Sequence, residues 1–86
     1  MTATVKLYSS SWCPFCVRAK QLLASKQVAF DEILVDGEPE IRQKMITESG
    51  QFTVPQIWIG AQHVGGCDEL YALERAGKLD ALLAQA

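Results

Sequence analysis

The chain has 86 residues, 49% hydrophobic and 21% charged, which is the composition of a folded soluble protein with length for one core and not two. A formal net charge of −2 without a basic run excludes recruitment of nucleic acid or anionic lipid by charge, and no apolar stretch approaches the ~20 residues of a bilayer span. Three cysteines, an odd count, and a start without the charged and apolar run of a secretion signal predict a reducing, cytoplasmic setting, where cysteines serve metal binding or thiol chemistry instead of a disulfide framework.

Val5 to Ser9 alternates apolar and polar side chains and predicts a half-buried first strand. Pro14 stands where a helix accepts proline, in its first turn, and Cys16, Ala19, Leu22 and Leu23 recur at helical spacing, so an amphipathic helix runs to about Lys26. Phe30 to Val35, rich in apolar and β-branched residues, predicts a second strand closed by an Asp36-Gly37 turn. Pro39 opens a second helix, with Glu38 and Glu40 at its positive end, Ile41 and Met45 on one side and Gly50 just past its last turn. Gln56 to Ile59 is a third strand, Gly60 to Gln62 a turn, and His63-Val64 a fourth strand that pairs back as a hairpin. Beyond Gly65-Gly66, Asp68 to Ala76 returns to helical spacing through Leu70 and Leu73, Gly77 caps that helix, and Leu79, Leu82 and Leu83 form a short last one.

This order predicts one α/β domain over 1–86, with a right-handed parallel crossover first and an antiparallel hairpin after it. The result is a four-stranded mixed sheet with helices on both faces. Ligands bind such sheets where strand ends meet helix starts. That rule predicts one cleft shared by the loop before the first helix, the loop of Thr53-Val54-Pro55, and the Gly65-Gly66-Cys67-Asp68 turn.

Cys13-Pro14-Phe15-Cys16 carries the chemistry. Unpaired N–H groups and the positive end of the macrodipole at a helix start favour a thiolate at Cys13, and such sites move a thiol from its ordinary ~8.5 into a range of about 3.5 to 7.5. Residues three apart on one helix face bring their Cα atoms within the roughly 4.4 to 6.8 Å that a disulfide spans. Cys13, at the exposed end, is the expected nucleophile, and Cys16, one turn in and more buried, the resolving thiol. Two other readings compete. The pair could pack as small hydrophobes in a core, or Cys13, Cys16, His63 and Cys67 could bind zinc, against which stand the Gly65-Gly66 turn that splits the second pair and a core of the chain's own.

Pro55 cannot donate to a ladder and so introduces the third strand; a cis bond before it would turn the Val54 backbone outward to pair with an extended peptide, whereas a trans proline only starts the strand. Gly66-Cys67-Asp68 reads as a helix N-terminus open to close approach, with N–H groups for a carboxylate and Asp68 for an ammonium group, or else Cys67 or Asp68 simply caps the helix. Cys67 is either inert or an oxidisable thiol acidified by the helix end. Phe15 offers an apolar wall for a substrate. Trp12 and Trp58 stand near the expected cleft, although sheet packing also explains Trp58; Arg42 to Lys44, Glu69 and Glu74 read as solvated faces.

Taken together, Trp12-Cys13-Pro14-Phe15-Cys16, Thr53-Val54-Pro55 and Gly65-Gly66-Cys67-Asp68 resemble the dithiol glutaredoxins, most like the short bacterial glutaredoxin 3 type, and the likeness runs from Val5 to Leu83. Thioredoxins are longer, carry Gly-Pro between the cysteines and lack the Gly-Gly-Cys-Asp turn. The resemblance implies a thioredoxin-like fold, a cis Pro55, and a glutathione-dependent thiol-disulfide oxidoreductase that reduces protein disulfides and protein-glutathione mixed disulfides. It implies glutathione as co-substrate, with Val54 pairing with its backbone and Cys67 and Asp68 holding its γ-glutamyl end. Phe15, Gln51, Thr53, Pro55 and Gly66 complete that implied site. No metal is implied, and the expected protein is a cytoplasmic monomer whose partners are glutathione and disulfide-bearing or glutathionylated clients. The alternative within the likeness is an iron-sulfur cluster held between two subunits by Cys13 and bound glutathione; Pro14 counts against it, because cluster-binding relatives usually carry a small residue there. Many relatives also have a lysine three positions before the first cysteine and an arginine just before the Thr-Val-Pro triplet, where this chain has Ser10, Gln51 and Phe52, and a tyrosine in place of Phe15.

Overall fold

Strand alternation sets the frame of the molecule: Leu7 and Ile57 point into one hydrophobic layer, and their neighbours Tyr8 and Trp58 into another. The computed structural model describes residues 3–84. Its elements are β1 (Val5–Ser9), α1 (Pro14–Ser25), β2 (Asp31–Leu34), α2 (Pro39–Ser49), β3 (Gln56–Ile59), β4 (Gln62–Gly65), α3 (Cys67–Arg75) and α4 (Leu79–Ala84). The strands form one sheet in the order β2-β1-β3-β4, with β1 parallel to β2 and antiparallel to β3, and β3 antiparallel to β4. This is the mixed sheet that the order of elements predicts.

The larger core joins Val5, Leu7, Ile57 and Ile59 of the sheet to Ala19, Leu22 and Leu23 of α1, Cys67 and Leu70 of α3, and Leu79 and Leu83 of α4. On the opposite face, Tyr8 and Val35 meet Met45 of α2, with Ile33, Ile41, Ile46, Val54 and Trp58 around them. Helices therefore cover both faces. Lys26, just past α1, ties one face together by pairing with Glu74 of α3 at 2.8 Å and Asp80 of α4 at 2.9 Å, so Glu74 is an ion-pair residue and not simply a solvated one.

Differences from the expected elements lie at their ends. The second strand is shorter than Phe30 to Val35, because both end residues pack into cores outside the ladder, Phe30 on one face and Val35 on the other. The fourth strand is longer than His63-Val64. Trp58 pairs with His63 but Ile57 with Gly65, which leaves Val64 as the extra residue of a bulge. The third helix begins at Cys67, one residue before Asp68, with Gly66 as its N-cap; it ends at Arg75 with Ala76, and not Gly77, as its C-cap, and Gly77 follows with φ 72°.

Candidate active site

Between β1 and α1 the chain is held by Asp36, from the turn after β2. Ser10 Oγ donates to Asp36 Oδ1 at 2.6 Å and the Ser11 N–H to Oδ2 at 2.7 Å. These bonds, the Ser10 hydroxyl foremost, keep the Asp36 carboxyl below its usual range. The strand then releases Cys13, whose extended backbone (φ −126°, ψ 101°) makes it the N-cap of α1, with Pro14 in the first turn. Its sulfur accepts the Cys16 N–H at 3.0 Å. Cys13 and Cys16 are joined as a disulfide with Cα atoms 5.1 Å apart.

The expectation of an exposed Cys13 is corrected: it is 8% accessible, against 0% for Cys16. The cover comes in part from the loop before β3, whose Val54 carbonyl oxygen stands 3.7 Å from Cys13 Sγ. The relative depth of the two sulfurs is as expected. The Val54–Pro55 peptide bond is cis.

Beside the disulfide lies a cavity of about 270 Å³ lined by Phe15, Thr53, Val54, Pro55, Gly66, Cys67, Asp68 and Glu69. Two of the three segments that sequence reasoning assigned to one cleft line it, the Thr53-Val54-Pro55 loop and the turn into α3; on the third side the lining comes from Phe15 in the first turn of α1 and not from the loop before it. A second hollow of about 250 Å³, between the start of β1 and the start of β2, is lined by Ala3, Thr4, Val5, Ala29, Phe30 and Asp31 and holds no thiol. Gln51 is exposed and outside the cavity lining; its Oε1 instead accepts from Gln56 Nε2 at 3.0 Å. Trp12 is 94% accessible and Phe15 53%. Trp58 is not a cleft residue: it stands edge-on to Tyr8, with ring centroids 5.6 Å apart, in the layer beneath α2.

At the start of α3 the cap is made by Glu69, whose Oε1 accepts the Gly66 N–H at 2.7 Å. This corrects two readings, that Glu69 is merely solvated and that Cys67 or Asp68 caps the helix. Asp68 is exposed in the first turn. The idea of an acidified Cys67 also fails: the residue is 3% accessible, and burial pushes its thiol up against the opposing pull of Arg18. Tyr71 of α3 pins this end to α1, its hydroxyl donating to the Arg18 carbonyl at 3.2 Å while the Arg18 guanidinium lies 5.1 Å over the ring.

Gln56 is the site-region residue that sequence reasoning missed. It is fully buried at the start of β3, and its Nε2 donates to the Thr53 carbonyl at 3.0 Å. A glutamine opening an otherwise apolar strand directly after Thr53-Val54-Pro55 was the available signal. His63 faces it, with Nε2 2.8 Å from Gln56 Oε1, and its ring packs against Trp58 at a 37° tilt with centroids 4.6 Å apart. The zinc set is not assembled. Among the described residues no group of three or more His, Cys, Asp or Glu is placed to hold a metal ion. Nor is any described helix long and apolar enough to cross a membrane.

Comparison with known proteins bears on this geometry. A family model described as glutaredoxin matches residues 5–64. A protein of Pseudomonas aeruginosa named Glutaredoxin is 63% identical over 79 residues, covering 92% of this chain and 94% of that one. Glutaredoxin 3 of Escherichia coli K12 is 56% identical over 81 residues, covering 94% and 98%. Among solved structures, a buckwheat glutaredoxin-glutathione complex superposes with a TM-score of 0.88 at 32% identity, over 98% of this chain and 83% of that one.

Proposed function

Since the chain belongs to the glutaredoxin family, thiol-disulfide oxidoreductases of thioredoxin-like fold, we propose that it is a glutathione-dependent enzyme in which Cys13 is the nucleophile and Cys16 the resolving thiol. The observation that carries this assignment is the Cys16 N–H aimed at Cys13 Sγ from 3.0 Å, at the positive end of α1. A donor already in place where thiolate charge gathers lowers the thiol's pKa without reorganisation when the charge forms. The thiolate also leaves more readily when it is itself displaced.

With a glutathionylated client, the Cys13 thiolate attacks the glutathione sulfur. The S–S bond between glutathione and the client breaks, the client leaves as a thiolate that takes a proton from water, and Cys13 keeps the glutathione as a mixed disulfide. A glutathione thiolate then attacks that bond, releases oxidised glutathione and restores the Cys13 thiolate. With a client disulfide, the Cys13 thiolate attacks one client sulfur and the client S–S bond breaks, its other sulfur leaving as a thiolate; the Cys16 thiolate then attacks Cys13 Sγ, the bound client sulfur leaves as a second thiolate, and the Cys13–Cys16 disulfide forms, the client having gained two electrons and taking two protons from water. Two glutathiones reduce that disulfide in turn.

Glutathione is supported as the ligand by the buckwheat relative's complex and by the shape of this cleft. Val54 offers backbone groups to an extended tripeptide, Phe15 and Pro55 give apolar walls, Thr53 and Gly66 border them, and the start of α3 at Cys67 offers N–H groups to a carboxylate, with Asp68 for the ammonium group. Gln51, outside the lining, is left a supporting part through Gln56. In this reading one domain works as a monomer in the cytoplasm on glutathionylated and disulfide-bearing proteins. Cys13→Ser should abolish reduction of a glutathionylated peptide, whereas Cys16→Ser should retain it and lose reduction of a protein disulfide. Full activity in Cys13→Ser would contradict the assignment.

A further inference from the structure

We propose that Gln56 is a positioning residue for this reaction: its amide holds the 51–55 loop in the shape that receives substrate, and His63 fixes which way that amide points. The proposal rests on the reading of Thr53-Val54-Pro55 as the seat of glutathione. Gln56 itself is fully buried and is not part of the cavity lining, so it acts through the loop.

The orientation of the amide is dictated by chemistry. The Thr53 carbonyl can only accept, so the atom 3.0 Å from it must be Gln56 Nε2, which also meets Gln51 Oε1 at 3.0 Å and Thr53 Oγ1 at 3.3 Å. That leaves Oε1 facing His63 at 2.8 Å, and an amide oxygen cannot donate, so His63 Nε2 carries the hydrogen and gives it. The imidazole in turn packs, tilted, against the Trp58 ring. One direction of donation therefore runs from β4 through β3 to the loop. Residues 51 to 55 lie in no helix or strand, and Gln51 to Thr53 are exposed. Besides the approach of Cys13 Sγ to the Val54 carbonyl, the other side-chain ties on this loop among the described residues are the two bonds exchanged between Ser49 Oγ and the Gln51 backbone. Because the Val54 carbonyl stands 3.7 Å from Cys13 Sγ, a shift of the loop changes the gap between the reacting sulfur and the strand-like edge beside it. An apolar residue would fill the same space in β3; an amide adds direction.

Gln56→Glu keeps the shape and replaces the donor with an acceptor that faces the Thr53 and Gln51 oxygens, and Gln56→Leu removes the polarity without adding charge. Each should raise KM for a glutathionylated peptide about tenfold or more while kcat stays within about twofold, since capture loses its template and the sulfur does not. The pH midpoint for alkylation of Cys13 should not move, because the Cys16 N–H is untouched. Hydrogen exchange at the Thr53 and Val54 amides should quicken, with exchange in β1 and α1 unchanged. His63→Phe keeps a ring against Trp58 but has no donor, and it reads the same loop if both Gln56 variants fail to fold; combined with Gln56→Leu it should add nothing further. Unchanged KM together with unchanged loop exchange in the folded variants would overturn the proposal, as would a fall in kcat alone. If the wild-type protein failed to turn over the peptide, the functional reading would fall, and loop exchange would still decide what Gln56 does.

Discussion

Gly65 occupies a position that no other residue fits well. Its φ is 115°, and a Cβ there would lie 2.8 Å from Glu69 Oε1. The space is used by Glu69 to close the first turn of α3 on the Gly66 N–H. Gly65→Ala should therefore cost about 1 to 3 kcal/mol in urea denaturation, from the backbone conformation together with a displaced cap; an unchanged midpoint would show that β4 relaxes freely. The interval from Gly66 to Glu69 is that of a capping box, so this contact was open to sequence reasoning, which instead took the charge as surface. Cys67 shows the opposite case. Its place at a helix start was legible, but whether the sulfur faces solvent or core depends on how α3 lies on α1, and there burial outweighs the helix end.

At the scale of elements, two carboxylates fasten the β2 region to the β1-α1 junction. Asp36 is held low by Ser10 and then Ser11, and Glu32 is held low by Lys20 first and then by the Ser9 hydroxyl, at 2.8 and 2.6 Å. A carboxylate whose folded pKa lies below its unfolded value adds stability that is complete above the unfolded value and is lost as pH falls through the folded one. The melting temperature should accordingly drop once pH goes below about 4, and Asp36→Asn should make that drop shallower, as followed by thermal unfolding across the acid range. An equally steep acid loss in Asp36→Asn would remove the clip from the account of stability. Spacing of apolar residues, prolines at helix starts and glycines beyond helix ends were enough to find the eight elements of the described residues. The ends of β2 and β4 were not legible, because a residue such as Phe30 or Val35 is equally apolar inside a ladder and in a core beside it, and a bulge leaves no mark in the pattern of β4.

Across the whole molecule, the cleft arises where α1 begins, the loop into β3 turns and α3 begins, which is where sheets of this kind present ligands. That convergence could be read from chain order. What could not be read is which face of the sheet each aromatic takes, so Trp58 was placed near the cleft when strand parity puts it with Tyr8 beneath α2. The glutamine that opens β3 could be seen, but not what its buried amide holds, since the partners come from two separate stretches of chain, the loop at Gln51 and Thr53 and His63 of β4. The proposed chemistry requires the start of α1 to hold the Cys13 sulfur ionised near neutrality. With Cys16→Ser and Cys67→Ser combined, Cys13 is the one thiol left of the three, and the Cys16 backbone N–H remains. The rate of alkylation of that variant against pH should turn over within about 3.5 to 7.5, and a midpoint near the ~8.5 of an ordinary cysteine would contradict it.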